Sequence, residues 1–253
     1  MLKRVAVVGT DTLGRELTEA AARQGIQLMP MAPGSALPPG SGATMAPADP
    51  SALDAVSAQA LAHDSLLVLL AEAVDSREGL VKGSSERLRD HGTRFAQALG
   101  LSDDDRSALE RGALLHDVGK ILLSNEVLLK KAVLNYDDWL LLQAHTTMGA
   151  DLLQEHQIHA DVIDIVRYHH ECWNGEGYPQ NLEKGAIPWL ARIMKVLDVY
   201  CSMTSPRNYR SGHATHEQAV AHLKEERGER FDPELVDVFL KADIGRPFDW
   251  DGD

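Results

Sequence analysis

The chain has 253 residues, enough for one large domain or a domain with an appendage, and its 44% hydrophobic and 25% charged content is ordinary for a globular protein. A formal charge of −13 at pH 7 argues against a nucleic-acid polymer as partner, because duplex DNA needs a basic face. It leaves room for a small anionic substrate, since bound metal ions can reverse the sign of the field locally. Cys172 and Cys201 are the only cysteines and form no C-x-x-C pair, so a reducing, cytoplasmic compartment without a disulfide framework is expected. The apolar run Val5-Ala6-Val7-Val8 is too short for a signal peptide, and Leu66 to Leu70 is cut off by Glu72 and Asp75. No membrane span of about 20 apolar residues is expected.

In chain order, residues 1–29 read as a βαβ-like piece. Val5 to Val8 is a β-branched run, Thr12 to Arg23 carries helix formers, and Gly25 suits the C′ position before Ile26-Gln27-Leu28-Met29. The turn Gly9-Thr10-Asp11-Thr12-Leu13-Gly14 lacks the middle glycine of G-x-G-x-x-G and the Lys-Ser/Thr of a P-loop, so a docking or remnant piece is the better reading than a nucleotide site. It resembles the opening of a receiver-type domain but is too short to complete one. Residues 30–60 begin with a proline- and glycine-rich, nearly uncharged stretch of linker composition. From Ser51 onward the pattern reads as helical with no convincing strand, residues 61–242 forming one domain and residues 243–253 a polar tail.

The predicted helices are Asp64 to Val74, Glu86 to Leu99 ended by Gly100, and one opened by Ser102-Asp103-Asp104-Asp105, whose acids suit the positive end of the helix dipole. After these come a long helix from Asp137 to Glu155, Val162 to His170, Ile187 to Thr204, Glu217 to Glu226, and Glu234 to Ala242. The fold expected is mainly α, a helical bundle behind a short βαβ-like segment.

Chemistry concentrates in Leu114-Leu115-His116-Asp117-Val118-Gly119-Lys120. A histidine and an aspartate at the end of an apolar run are costly to bury unless something pairs with them, and a divalent metal is such a partner. His145, the run His169-His170-Glu171, and Asp198 follow in otherwise apolar helices. One histidine alone carries little weight. The set does, because metal sites in helical bundles take ligands from facing helices. Mixed nitrogen and oxygen donors suit Fe, Mn, Ni, Co or Zn better than Ca. Asp117 could bridge two metals, and a hydroxide held between them would attack phosphorus in line. His156, His159, His213, His216 and His222 lie in polar stretches and read as surface residues. In His169 to Pro179 a glycine-rich turn follows the histidine pair and could place Trp173 and Tyr178 against a base or a protein partner.

H-D-x-G-K at 116–120, followed by H-H-E-x-x-x-G-x-G-Y-P at 169–179, resembles the HD-GYP family of cyclic di-GMP phosphodiesterases, within the HD metal-dependent phosphohydrolases. The resemblance covers about residues 62–242. It implies an all-helical bundle that hydrolyses cyclic di-GMP to pGpG and GMP with two or three metal ions, often iron or manganese, in bacterial signalling. The matching metal ligands are His116, Asp117, His145, His169, His170 and Asp198. Asp117 and Lys120 would carry catalytic work, with Lys120 contacting a phosphate or assisting the leaving group. Ser205 to Arg210 resembles the family's R-x-Y-R segment, so Arg207 and Arg210 would hold substrate phosphates beside Tyr178 and Lys120. The GYP loop is also a surface on which a signalling protein could dock, and a homodimer is compatible with this reading.

The pattern departs from the family in three places. Ser84 stands where the first metal-binding histidine is expected, Leu80 where some members carry an acid for a third metal, and Cys201 where a second aspartate is usual. His91, two helical turns beyond Ser84, is a candidate replacement, displaced by roughly 10 Å along the helix. The alternative reading is therefore a degenerate domain that binds the dinucleotide or a partner protein without turnover.

Overall fold

The computed structural model describes residues 4–8, 27–31, 65–78, 80, 83–130, 132–205 and 213–245. The chain divides into two compact units, Met1–Asp54 and Ala55–Asp253. In the first, strands β1 (Arg4–Val8) and β2 (Gln27–Met31) pair in parallel, with Arg4 opposite Gln27 and Val8 opposite Met31. A parallel pair cannot be closed by a tight hairpin, which fits the expected strand–crossover–strand order. The helix expected at Thr12 to Arg23 and the linker lie outside the described residues.

The second unit is helical. Residues 65–77 form α1, longer at its end than the expected stop at Val74. Helix α2 (Ser84–Leu99) buries Leu88, His91, Gly92, Phe95 and Ala96, one stripe at helical spacing. It ends at Gly100, whose left-handed φ of 66° lets its N–H reach the carbonyls of Ala96 and Gln97. Helix α3 (Asp103–Leu115) starts at Ser102, whose side chain accepts from the Asp105 N–H. Its Gly112 lies so close to Ile165 that an added Cβ would come within 2.6 Å of the isoleucine side chain.

A 3-10 turn, Val118–Leu122, and a short helix α4 (Asn125–Leu128) follow, neither of them expected from residue order. The long helix expected from Asp137 to Glu155 is two helices, α5 (Tyr136–Gln143) and α6 (His145–Glu155), parted at Ala144. Three successive side chains cause no visible break in the sequence but reach back across the junction. His145 Nδ1, Thr146 Oγ1 and Thr147 Oγ1 bond the carbonyls of Leu142, Gln143 and Ala144.

Helix α7 (Ala160–Tyr168) leads to the histidine pair, and α8 (Trp189–Thr204) runs through the centre of the bundle. Ile193, Met194, Val196 and Leu197 of α8 are wholly buried, so this helix meets core on several faces. Helices α9 (His216–Glu225) and α10 (Pro233–Lys241) close one side. Phe239 of α10 packs edge-on against Phe95 at 5.4 Å, and Arg192 binds Asp232 at 2.8 Å. Of the histidines expected on the surface, His156, His159 and His213 are exposed. His216 and His222 are half-buried, the first against the Tyr200 hydroxyl at 2.9 Å and the second edge-on to Phe231. No described helix is long and apolar enough to cross a membrane.

Candidate metal centre

The centre is made by a close crossing of the 3-10 turn over the start of α6. A Cβ on Gly119 would lie 1.9 Å from the His145 carbonyl oxygen, and one on Gly149 would lie 2.9 Å from the Gly119 nitrogen. Only glycine on both sides permits that approach, and the approach carries Asp117 onto His145. Asp117 Oδ1 then sits 3.3 Å from His145 Nε2 and 3.9 Å from His169 Nε2. Its Oδ2 meets His116 Nε2 at 3.1 Å and Lys120 Nζ at 2.8 Å.

The three rings are oriented by the same device. His116 Nδ1 bonds the Ala113 carbonyl at 3.0 Å, His145 Nδ1 that of Leu142 at 2.6 Å, and His169 Nδ1 that of Val166 at 2.9 Å. A carbonyl only accepts, so each Nδ1 carries the hydrogen and each Nε2 faces the centre. His145 Nε2, His169 Nε2 and Asp117 Oδ1 are all buried there without a hydrogen bond. Buried polar atoms rarely go unpaired, and three of them aimed at one point fit a cation. Ligand atoms of Asp117, His145, His169 and His170 all lie within 4.8 Å of one another. His170 stands beside His169 with ring centroids 4.1 Å apart and stacks on Tyr178 at 4.7 Å.

Charge follows from this packing. Burial works to lower the His116 pKa, but the Asp117 carboxylate and then Asp198 overcome it and hold the ring up at about 9. Burial, reinforced by neighbouring imidazoles, pushes His169 and His170 well below the ordinary histidine range, so both stay neutral and able to donate a lone pair. Burial opposes the charge on Asp117, yet His116 and Lys120 keep it ionised. Lys120 is likewise opposed by burial and held charged by Asp117 and Glu78, the latter 2.8 Å away. A lysine locked in that state is a fixed positive charge and a poor proton donor.

Asp198 reaches the edge of the group, 4.0 Å from His116 Nε2, with its Oδ1 accepting from Ser202 at 3.1 Å. Ser84, Leu80, His116, Asp117, Asp198 and Cys201 line one cavity of about 320 Å³. The Cys201 thiol is pushed up to about 12 by burial and so remains protonated, a weak ligand. His91 does not replace the missing histidine. It is buried edge-on against Tyr200 at 5.7 Å, with a backbone hydrogen bond to Ile244.

Glu171, next to the histidine pair in the chain, serves the loop. Its Oε1 accepts from the Gln180 N–H at 2.7 Å and its Oε2 from the Leu182 N–H at 3.1 Å. Gly177 passes so close to the Glu171–Cys172 backbone that a Cβ would come within 2.3 Å of the Cys172 nitrogen. Trp173 packs under Arg192 at 5.7 Å and does not line the cavity. Tyr178 and Trp139 do. Arg207 and Arg210 lie outside the described residues.

Sequence reasoning missed Asp75 and Glu78. Asp75 accepts from the Ser85 N–H and hydroxyl at 3.0 and 2.9 Å, which pins the start of α2 at the cavity wall. Their signal was two acids three apart at the end of an apolar helix, which places them on one face.

Comparison with known proteins points the same way. A family model described as an HD domain matches residues 68–235. The chain is 37% identical over 176 residues to the cyclic di-GMP phosphodiesterase response regulator RpfG of Xanthomonas campestris, covering 68% of this chain and 46% of that protein. It is 30% identical over 178 residues to the 3′3′-cGAMP-specific phosphodiesterase 2 of Vibrio cholerae, covering 70% and 34%. The crystal structure of a cyclic GMP-AMP-specific phosphodiesterase of V. cholerae shares the fold, with a TM-score of 0.55 and 24% identity over 70% of this chain and 47% of that one. The chain thus spans about half the length, or less, of these relatives.

Proposed function

This chain belongs to the HD domain family, in its HD-GYP branch, and from that premise we propose that it is a metal-dependent phosphodiesterase that opens cyclic di-GMP to pGpG and GMP. The observation that carries this reading is the convergence of Asp117 Oδ1, His145 Nε2 and His169 Nε2, buried and without hydrogen bonds, on one point. Two divalent transition ions, iron or manganese first and nickel, cobalt or zinc as alternatives, would be held by His116, Asp117, His145, His169, His170 and Asp198. When bound, such ions supply Lewis acidity toward a phosphoryl oxygen and lower the pKa of a coordinated water.

The protein's own groups do the rest. Asp117 presents one oxygen to His145 and His169 and the other to His116, so its carboxylate would contribute a ligand atom on each side. Lys120, held charged, stabilises negative charge growing on phosphorus without giving up its proton. Tyr178, fixed by its stack on His170, and Trp139, 6.4 Å from Tyr178, offer ring faces to a guanine. Arg207 and Arg210 are assigned to substrate phosphates by their motif. In the same reading residues 1–29 are a docking piece, 30–60 a linker, 61–242 the catalytic domain and 243–253 a tail. The protein acts in the cytoplasm, and the GYP loop is where a signalling partner would dock.

A second reading is favoured by Ser84 and Cys201, both on the wall of the cavity and both weak ligands. In it one metal position is depleted and the domain binds the dinucleotide without turnover. Incubation with cyclic di-GMP and with 3′3′-cGAMP, with products separated by chromatography, distinguishes the two. Formation of pGpG or GMP, abolished in a His169→Ala/His170→Ala double variant, supports the enzyme. Tight binding with no product supports the second reading, and preferential cleavage of 3′3′-cGAMP would replace the substrate named here.

A further inference from the structure

Helix α8 is largely apolar and buried, yet its middle carries a lysine. Lys195 lies between the wholly buried Met194 and Val196 and is itself only 5% exposed. Burying an ammonium group is expensive unless an anion accompanies it. Among the described residues Lys195 makes no ion pair. Its hydrogen-bonding neighbour is the Cys172 thiol, and Asp198 acts on it from further away. Burial accordingly lowers its pKa from the ordinary lysine value. A cation kept in that position without a matched partner is poised for a ligand that brings the negative charge.

The surroundings say where that ligand lies. Lys195 lines a cavity of about 660 Å³, with Arg230 on the same wall. Trp139, His170, Tyr178 and Asp198 border both this cavity and the 320 Å³ space over the metal ligands, so the two form one groove with two ends. One end presents His116, Asp117 and Lys120, and the other presents Lys195 and Arg230. That combined space is of the size that holds a ligand as large as a dinucleotide.

We infer that Lys195 binds the uncleaved phosphodiester of a cyclic dinucleotide, and that the larger cavity is the subsite for that end of the substrate. The inference rests on the proposed function and adds the place of the second phosphate. With the scissile phosphate over Asp117, the other phosphate of the ring must lie along the groove. Lys195 is the buried cation there, a compact charge with three donors and no acceptor, suited to phosphate oxygens. Glu176, exposed on the same cavity, repels an anion that lies outside that position.

The test compares two substrates on the metal-loaded full chain. Cyclic di-GMP has a second phosphate, and bis(p-nitrophenyl) phosphate has a single diester and none. Lys195→Met keeps the length of the side chain and removes its charge, and thermal unfolding checks that the variant is folded. The expected result is a KM for cyclic di-GMP raised about tenfold or more, as for loss of a charged hydrogen bond. The expected kcat stays within a factor of about two, the small diester is cleaved as by wild type, and Lys195→Arg recovers most of the loss. Equal losses on both substrates would mean that Lys195 only supports the fold, and no change on either would mean that it does not touch substrate. Each result overturns the inference. If the wild-type chain binds cyclic di-GMP without cleaving it, the catalytic reading fails by itself, and the ratio of calorimetric affinities of wild type and Lys195→Met decides the role of Lys195. If the wild-type chain does not bind cyclic di-GMP, both fail.

Discussion

Two parts of the bundle bury histidine, and they do so differently. His91 sits alone on α2 against Tyr200 with no carboxylate beside it, and burial with nearby Arg87 and Arg94 lowers its pKa to about 4. At the candidate metal centre four histidines surround one ionised carboxylate, and the Nε2 atoms of His145 and His169 are buried there without a hydrogen bond. A buried histidine is thus a packing residue when no carboxylate shares its space. It becomes a ligand when an acid shares its space and backbone carbonyls fix its other nitrogen.

The contrast is tested most strongly at Asp117. Asp117→Asn keeps the shape and removes the charge, and hydrolysis of cyclic di-GMP should fall by more than about a hundredfold, beyond the loss typical of outer-shell changes. The equivalent insult at the other histidine, His91→Phe, should leave turnover within a factor of about two. Retained activity in Asp117→Asn would remove the distinction between the two regions.

Gly119→Ala attacks the crossing rather than a ligand. The added methyl meets the His145 carbonyl, so the 3-10 turn must withdraw from α6. Stability should drop by about 1–3 kcal/mol in denaturant unfolding, and metal content should fall with it. Full metal content in a folded Gly119→Ala protein would show that the close approach does not set the site.

At His91 the expected effect is on pH dependence. Its folded pKa of about 4 lies below the ordinary 6.5, so between those values the unfolded chain binds the proton and the folded one resists it. Stability should decline as pH falls through that window, by up to ~1.4 kcal/mol per pH unit, and level off below it. His91→Phe should flatten that part of the profile obtained from urea midpoints, and an unchanged slope would assign the effect elsewhere.

A further change tests Glu171, which ties the loop through the Gln180 and Leu182 N–H groups. Glu171→Gln leaves one of two backbone donors poorly matched, costing about 1–3 kcal/mol. KM should rise through displacement of Tyr178 while metal content holds. Loss of metal would show that Glu171 also supports the candidate metal site.

Much of this was readable from residue order. The stripes of α2, α3 and α7 and the Gly100 stop follow from apolar spacing and cap chemistry, and the H-D and H-H pairs stood out because such residues are costly in apolar helices. What could not be read depended on contacts between distant segments. The break at Ala144 has no glycine or proline to announce it and comes from side chains bonding backward. Glu171 directly follows two candidate ligands in the chain, and only the fold shows its oxygens turned to Gln180 and Leu182. Glu78 acquires its role from Lys120, more than forty residues away in the chain. Lys195 was visible as a charge in an apolar helix, but its significance required the cavity.

Metal content decides the central claim. Elemental analysis of purified wild-type and Asp117→Asn protein, run on the same samples as cyclic di-GMP turnover, should find about two transition-metal ions per wild-type chain and far fewer in the variant, with turnover following the metal. Little metal in the wild-type chain, or equal metal in both, would contradict a centre built on Asp117.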